Sequence, residues 1–285
     1  MFNTLITGEN SYIGNSFEKF ILSSQSSEVT VNKISLRDKN VVQLDLNKYD
    51  TILHVAGIAH TSTDENMRRL YYDINTNLTY ELAKRAKENG VKHFVFLSSI
   101  IVYGSNHTSI NANTIETPDD FYGDSKLQAE NKIKNLESND FTISIIRTPM
   151  VYGPKSKGNF AKLVKHSSKL IIFPNVNNIR SQLYIYNLCA LIYGVIIRGI
   201  GGTIHPQNDE KLSTFTLIKL IRQAEGKKTL GVSIFNPVLN ILSAKISIFS
   251  KLFSNLYYED DITFNKFNYN MYNNEDSVKT SVKDL

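Results

Sequence analysis

Apolar residues in the first half of this chain fall into short unbroken runs, separated by longer stretches where they recur every three or four positions. Runs at 3–7, 28–36, 51–56, 93–97 and 141–147 read as strands. The stretches after residue 11, at 65–88 and at 122–137 carry the helical period. Asn89-Gly90 is a C-terminal stop for the long second helix. Strands alternating with helices predict a parallel sheet covered on both faces. With right-handed crossovers this becomes an α/β Rossmann-type doubly wound fold.

After Arg147 the regularity fades. Thr148 to Pro154 is rich in turn residues. Helices are expected over 187–197 and 212–225, and a short strand over 201–206. Residues 230–256 are strongly apolar, interrupted by Lys245 and Lys251. They are read as packing over a smaller C-terminal lobe, with a membrane-surface role as the alternative. The tail after Phe264 is rich in Asn and Asp and is expected to be loose. The division expected is a dinucleotide-binding domain from 1–152 plus 182–204, and a substrate lobe from 153–181 plus 205–285.

Composition narrows the class. The chain has 285 residues, 41% hydrophobic and 21% charged, as in a globular protein. A net charge of +5, taken as dispersed, makes no case for nucleic acid but suits a phosphorylated substrate. One cysteine, Cys189, excludes a disulfide framework, and the six histidines show no metal-ligand spacing. No apolar stretch reaches membrane-spanning length, and no leader precedes the first strand, so a cytoplasmic location is expected.

Two motifs carry chemistry. Thr7-Gly8-x-x-Ser11-Tyr12-Ile13-Gly14 joins the first strand to the first helix. There, glycines admit a pyrophosphate to the backbone and the helix N-terminus offers N–H groups. Ser11 stands where a middle glycine is usual, and its hydroxyl is itself a donor. No clear acidic ribose reader ends the second strand. Arg37 would accept a 2′-phosphate and favour NADP, whereas Asp38 would serve NAD. Asp45-Leu46 is a candidate adenine contact. The second motif is Ser98-Ser99 followed by Tyr122 and Lys126. Tyr-x-x-x-Lys alone carries little weight among 15 tyrosines, and Tyr80/Lys84 is a second match. Ser99 beside it supplies a hydroxyl donor, with a phenol that can act as base and a cation to lower its pKa.

These residues resemble the extended short-chain dehydrogenases, in their NAD-dependent epimerase/dehydratase branch. The resemblance rests on residues 7–14, on His54-Val55-Ala56-Gly57, on Asn75, on 97–104, on Tyr122-Gly-Asp-Ser-Lys126 and on 147–154. It implies that Ser99, Tyr122 and Lys126 are catalytic, with Lys126 also holding the nicotinamide ribose. Val55, Ala56, Gly57 and Asn75 would line the NAD or NADP site, although Asn75 serves equally as a buried backbone partner. Residues 174–185 resemble bacterial nucleotide-sugar enzymes of capsule and O-antigen pathways, which implies substrate contacts at Asn159 and Arg180. Dehydratases of this family carry Asp-Glu after the serine. This chain has Ile100-Ile101, which disfavours elimination. A UDP-sugar C4 epimerase is the first expectation and an NADP-dependent 4-keto sugar reductase the second. A dinucleotide-binding scaffold is the alternative of another class. Met150 and Tyr184-Ile185-Tyr186-Asn187 depart from the epimerase pattern. The family also implies a homodimer.

Overall fold

The computed structural model describes residues 1–24, 28–37, 40–58, 64–234, 236 and 253–285. Asp38, and the part of the apolar stretch that holds Lys245 and Lys251, lie outside the described residues.

The strands are β1 (Phe2–Thr7), β2 (Val29–Ile34), β3 (Thr51–His54), β4 (His93–Ser99), β5 (Ser109–Ile110), β6 (Thr142–Thr148), β7 (Met150–Tyr152), β8 (Ile172–Pro174), β9 (Gln182–Tyr184), β10 (Gly202–Ile204), β11 (Leu230–Val232) and β12 (Tyr257–Tyr258). The helices are α1 (Tyr12–Ser24), α2 (Glu65–Tyr71), α3 (Leu78–Glu88), α4 (Phe121–Lys134), α5 (Asn159–Ser167), α6 (Ile185–Arg198), α7 (Thr214–Ala224) and α8 (Asn274–Lys283).

Six strands form one parallel sheet in the order β10-β6-β4-β3-β1-β2. The period-2 alternation of a strand sorts its buried residues into two layers. Ile6, Leu53, Val95, Leu97 and Ile146 join a cluster with Phe17 of α1 and Leu188, Leu191 and Ile192 of α6. Leu5, Ile52, Phe94, Phe96 and Ile145 join another with Leu82, Ala83 and Ala86 of α3 and Ala129 and Ile133 of α4. The first cluster continues without a break into Phe160, Leu217, Phe264 and Val278, so the substrate side of the chain shares its core with the sheet.

The order in which strands are added reverses at β1, which has β2 on one side and β3 on the other. That reversal opens a crevice at the carboxyl ends of β1 and β3, the usual ligand position in such sheets. Between β2 and β3, the described residues hold one 3-10 turn, Val41–Gln43, in place of a crossover helix.

The short strand expected at 201–206 is present as β10, an edge strand of the main sheet. Two expectations needed correction. The helix expected over 65–88 is interrupted by a π turn at Tyr72–Asn77, which matters for Asn75 below. The tail is not loose. Its Asn and Ser side chains are spent on structure: Asn273 caps α8, and Tyr152 Oη bonds Ser277 Oγ at 2.6 Å. Asn274 takes a hydrogen bond from Asn208 at 2.9 Å, and Val278 is fully buried.

Three buried histidines set the acid limit of this fold. His54 lies between Thr7 Oγ1 (2.5 Å) and Thr79 Oγ1 (2.9 Å), and stacks on Phe96. Burial, helped by the Lys126 charge, lowers its pKa from 6.5 to about 3. Burial brings His93 to about 4, and burial with Arg147 does the same for His205. Each folded-state value lies below the unfolded one, so the unfolded chain binds protons that the fold refuses. The stability is complete above pH ~6.5 and is lost as pH falls toward ~4, by about 1.4 kcal/mol per unit for each histidine. Urea midpoints measured across that range should fall steeply on acidification, and His93→Asn should flatten the slope by roughly a third.

Candidate active site

The crevice is built by close approach. Gly8 ends β1 with φ +98°, and an added Cβ would sit 3.1 Å from Ala56 N, across the switch point. Only glycine lets the first and third strand ends converge this tightly. Behind it, α1 points its N-terminus at the crevice. Ser11 Oγ accepts a hydrogen bond from Gly14 N at 3.0 Å, as a helix cap does. The serine that replaces the usual glycine thus stabilises the helix end and keeps its own O–H for a further acceptor.

The remaining predicted cofactor residues divide. The Thr7 hydroxyl is spent on His54. Tyr12 and Ile13 turn their side chains into the α1–α6 core, so what they offer the crevice is backbone. Asn75 is fully buried in the π turn: its amide donates to Ile58 O (3.1 Å) and Ser125 Oγ (3.0 Å), and its oxygen accepts from Ile58 N (2.8 Å). It ties the loop after Val55-Ala56-Gly57 to α4, so it acts as a clamp on the loop that borders the crevice. The widened π turn is what lets that side chain reach in. Leu46 is buried in the core, with its N–H on Asn89, while Asp45 and Arg37 are exposed. Of the two proposed adenine contacts, only Asp45 is free to serve.

Tyr122 sits in the first turn of α4, capped by Asp120, whose carboxylate accepts from Gly123 N at 2.8 Å. An added Cβ at Gly123 would lie 2.9 Å from Ile101 O, so the helix start packs directly on the turn that follows β4. This contact brings the Tyr122 phenol near enough to Ser99 for the serine hydroxyl to favour its ionised form. Ser99 Oγ also caps that turn, accepting from Ile101 N at 3.3 Å. One helical turn on, buried Lys126 donates to Leu97 O at 2.9 Å, with its ammonium 4.5 Å from the centre of the Phe96 ring. Two of its three N–H groups have no partner among the described residues.

The electrostatics differ from expectation. Burial pushes the Tyr122 phenol up to about 12. The Ser99 hydroxyl opposes this, and the negative charges of Asp120 and Tyr71 add to it. Burial lowers Lys126 to about 8, with Glu130 pulling the other way. Within the chain's own groups Lys126 does not bring the phenol down, because its charge is itself weakened by the low-dielectric wall that holds it.

Behind this pair lies a charged cluster that the motifs did not reveal. Arg147, 2% exposed, grips Glu130 through Nε and Nη2, the latter at 2.6 Å. Its Nη1 reaches Tyr103 Oη (2.6 Å) and Glu116 (2.7 Å). Ser98 Oγ donates to Glu130 at 2.5 Å, and Tyr103 Oη pairs with His205 Nε2 at 2.9 Å. The sequence did carry one signal: Tyr122, Lys126, Glu130 and Lys134 recur every four residues, on one face of α4.

Arg180 lies apart from this cluster, bridged to Leu212 and Leu256, with Nη1 on Ser254 O at 2.9 Å. Burial pushes its guanidinium down to about 10, and no carboxylate lies within 4 Å of it among the described residues. A largely desolvated cation without a counter-charge is poised for an anion. Asn159 opens α5 as an exposed residue and makes no hydrogen bond to Arg180. No group of three or more His, Cys, Asp or Glu able to hold a metal occurs among the described residues.

Comparison with known proteins gives a consistent picture. The family model described as "NAD dependent epimerase/dehydratase family" matches residues 4–201. A UDP-glucose 4-epimerase of Vibrio cholerae is 32% identical over 229 residues, covering 77% of this chain and 67% of that one. An N-acetyl-α-D-glucosaminyl-diphospho-ditrans,octacis-undecaprenol 4-epimerase of Escherichia coli O157:H7 is 27% identical over 239 residues, covering 81% and 72%. The crystal structure of UDP-glucuronic acid 4-epimerase from Bacillus cereus with NAD superposes with a TM-score of 0.76 at 18% identity, covering 99% of this chain and 98% of that one.

Two substitutions test the site's architecture. Removing the Glu130 carboxylate leaves Arg147 buried and under-compensated, so Glu130→Ala should cost about 3–5 kcal/mol in urea unfolding. Tyr12 Oη is buried without a partner. Tyr12→Phe should therefore leave dinucleotide affinity unchanged in calorimetry and leave the thermal midpoint equal or higher.

Proposed function

The chain belongs to the NAD dependent epimerase/dehydratase family, and from that premise we propose that it is a sugar-nucleotide C4 epimerase using NAD or NADP. The observation that carries this reading is the convergence of Ser99 and Tyr122 beside buried Lys126, with apolar Ile100-Ile101 where elimination needs acids. The crevice suits a dinucleotide. Gly8 clears the approach, the α1 N-terminus offers its N–H groups, and Lys126 has two N–H groups for a ribose.

When bound, the oxidised nicotinamide accepts hydride from the sugar carbon and adds a positive charge. Tyr122 takes the proton of the 4-hydroxyl, and Ser99 Oγ donates to the same oxygen as negative charge grows there. Bringing a phenol from about 12 to near-neutral working range requires roughly 6 kcal/mol of stabilisation of its anion. One unit charge at about 4 Å supplies ~4 kcal/mol at an intermediate dielectric. Positive charge beyond that of Lys126 would therefore be needed, and an oxidised nicotinamide bound in the crevice would bring it. Arg180 would hold the diphosphate through its fork of donors. If the 4-keto sugar turned its other face toward the nicotinamide before hydride returned, Tyr122 would give its proton back to the same oxygen and C4 would be inverted. A homodimer through α3 and α4 belongs to the same reading.

The exposed Arg37 at the end of β2 favours a second reading, an NADP-dependent reductase of 4-keto sugars. Incubation with UDP-glucose and UDP-N-acetylglucosamine, with and without NADPH, separates the two. An epimerase interconverts C4 isomers with no change in nicotinamide absorbance, whereas net NADPH oxidation with a 4-keto sugar supports the reductase. In either case Tyr122→Phe should lower turnover by about 10²–10⁴ while dinucleotide affinity stays within a few-fold. Full activity in that variant would remove Tyr122 from the chemistry.

A further inference from the structure

Away from the crevice, the two-stranded sheet of β8 and β11 has one face buried and one bare. Phe173 is buried and packs on the Arg222 guanidinium, and an added Cβ at Gly231 would meet the Phe215 ring at 2.5 Å. One register position earlier, Ile172 and Leu230 pair directly, 57% and 59% exposed. Ile171, whose carbonyl accepts from Leu230 N at 2.9 Å, is 60% exposed, Leu170 is 56% and Ile234 is 77%. Ile172 and Leu230 form an exposed aliphatic pair on one face, with Leu170, Ile171 and Ile234 exposed in the flanking residues. A cluster of exposed aliphatics of this kind marks a docking surface more often than an accident of packing.

Its surroundings are basic. Residues 162–172 and 225–234 contain Lys162, Lys165, Lys169, Lys227 and Lys228 against a single carboxylate, Glu225. All five lysines are exposed. Glu225 is already neutralised by Lys227 at 3.1 Å and accepts from Ser168. Lys227 also reaches Ser168 O at 3.4 Å, which ties the two segments into one surface. Four of the chain's five net positive charges thus gather here, so the charge is not dispersed as composition had implied.

We infer that this face docks on the surface of an anionic phospholipid bilayer. Aliphatic side chains ringed by lysines suit the boundary between acyl chains and acidic headgroups. A second copy of the chain is a poor occupant, since a two-fold contact would set the lysine ring against itself. No helix among the described residues is long and apolar enough to cross a membrane, so the contact is peripheral. β8 runs on to Arg180 six residues past Pro174, which places the two within about 20 Å by chain length alone. Docking would therefore hold the Arg180 end of the cleft close to headgroup level. The surface is independent of which hydride reaction the crevice performs.

Cosedimentation of the full chain with phosphatidylglycerol–phosphatidylcholine vesicles, and with phosphatidylcholine vesicles alone, tests this. Binding should favour the anionic vesicles and fall at least roughly tenfold at high salt or in K165Q/K169Q/K227Q/K228Q. The triple variant I171S/I172S/L230S should lose binding to a similar extent with its thermal midpoint unchanged, because all three side chains are exposed. Equal binding to both vesicle types, or wild-type binding in both variants, would overturn the inference. So would a dimer that only the serine variant dissolves, since the face would then join two copies.

Discussion

The buried pair of Arg147 and Glu130 holds this structure's working parts in register. Taking two charges out of water costs several kcal/mol each, and only a bidentate geometry with every remaining donor satisfied offsets it. Arg147 meets that condition by engaging Glu130, Glu116 and Tyr103 together, and Glu130 by accepting from Ser98 as well. Those contacts join β6, α4, β4 and the segment that covers the sheet edge. Tyr122 and Lys126 lie two turns and one turn before Glu130 on the same helix face, so anchoring Glu130 fixes their rotation about the α4 axis. Rearranging this group would turn the phenol away from Ser99.

The same burial that orders the site also keeps it quiet. The phenol is pushed up and the ammonium down by one cause, removal from water. His54 behind them is held neutral by burial and by Lys126, so it adds no charge of its own. On the proposed reading, Tyr122 would be a proton acceptor that stays protonated until further positive charge arrives, which would tie proton abstraction to the presence of the oxidised cofactor.

The sequence was legible where local pattern and tertiary role coincide. The glycine at the end of β1, the cap-like start of α4 and the alternation of the strands all express short-range rules, and they located the crevice. It was misleading where one residue type serves two environments. Asn and Ser in the tail read as solvated, yet Asn274 and Ser277 are buried because hydrogen bonds from Tyr152 and Asn208 satisfy them. Asn75 read equally as ligand and as buried partner, and its clamp on Ile58 and Ser125 depends on a π turn that no sequence pattern announced. Glu130 went unnoticed because its partner, Arg147, is seventeen positions away on another element, and no local pattern encodes that distance.

Ile100 deserves a second thought in that light. It is 8% exposed and packs with Val102, Tyr103, Ile110 and Tyr258, the cluster that seats the outer segment on the sheet. An acidic side chain at that position would place an unpaired charge in this cluster. A change at this one position is therefore a change to the whole cluster: an acid there would need a counter-charge or a path to water, and the packing under Ile100 provides neither among the described residues.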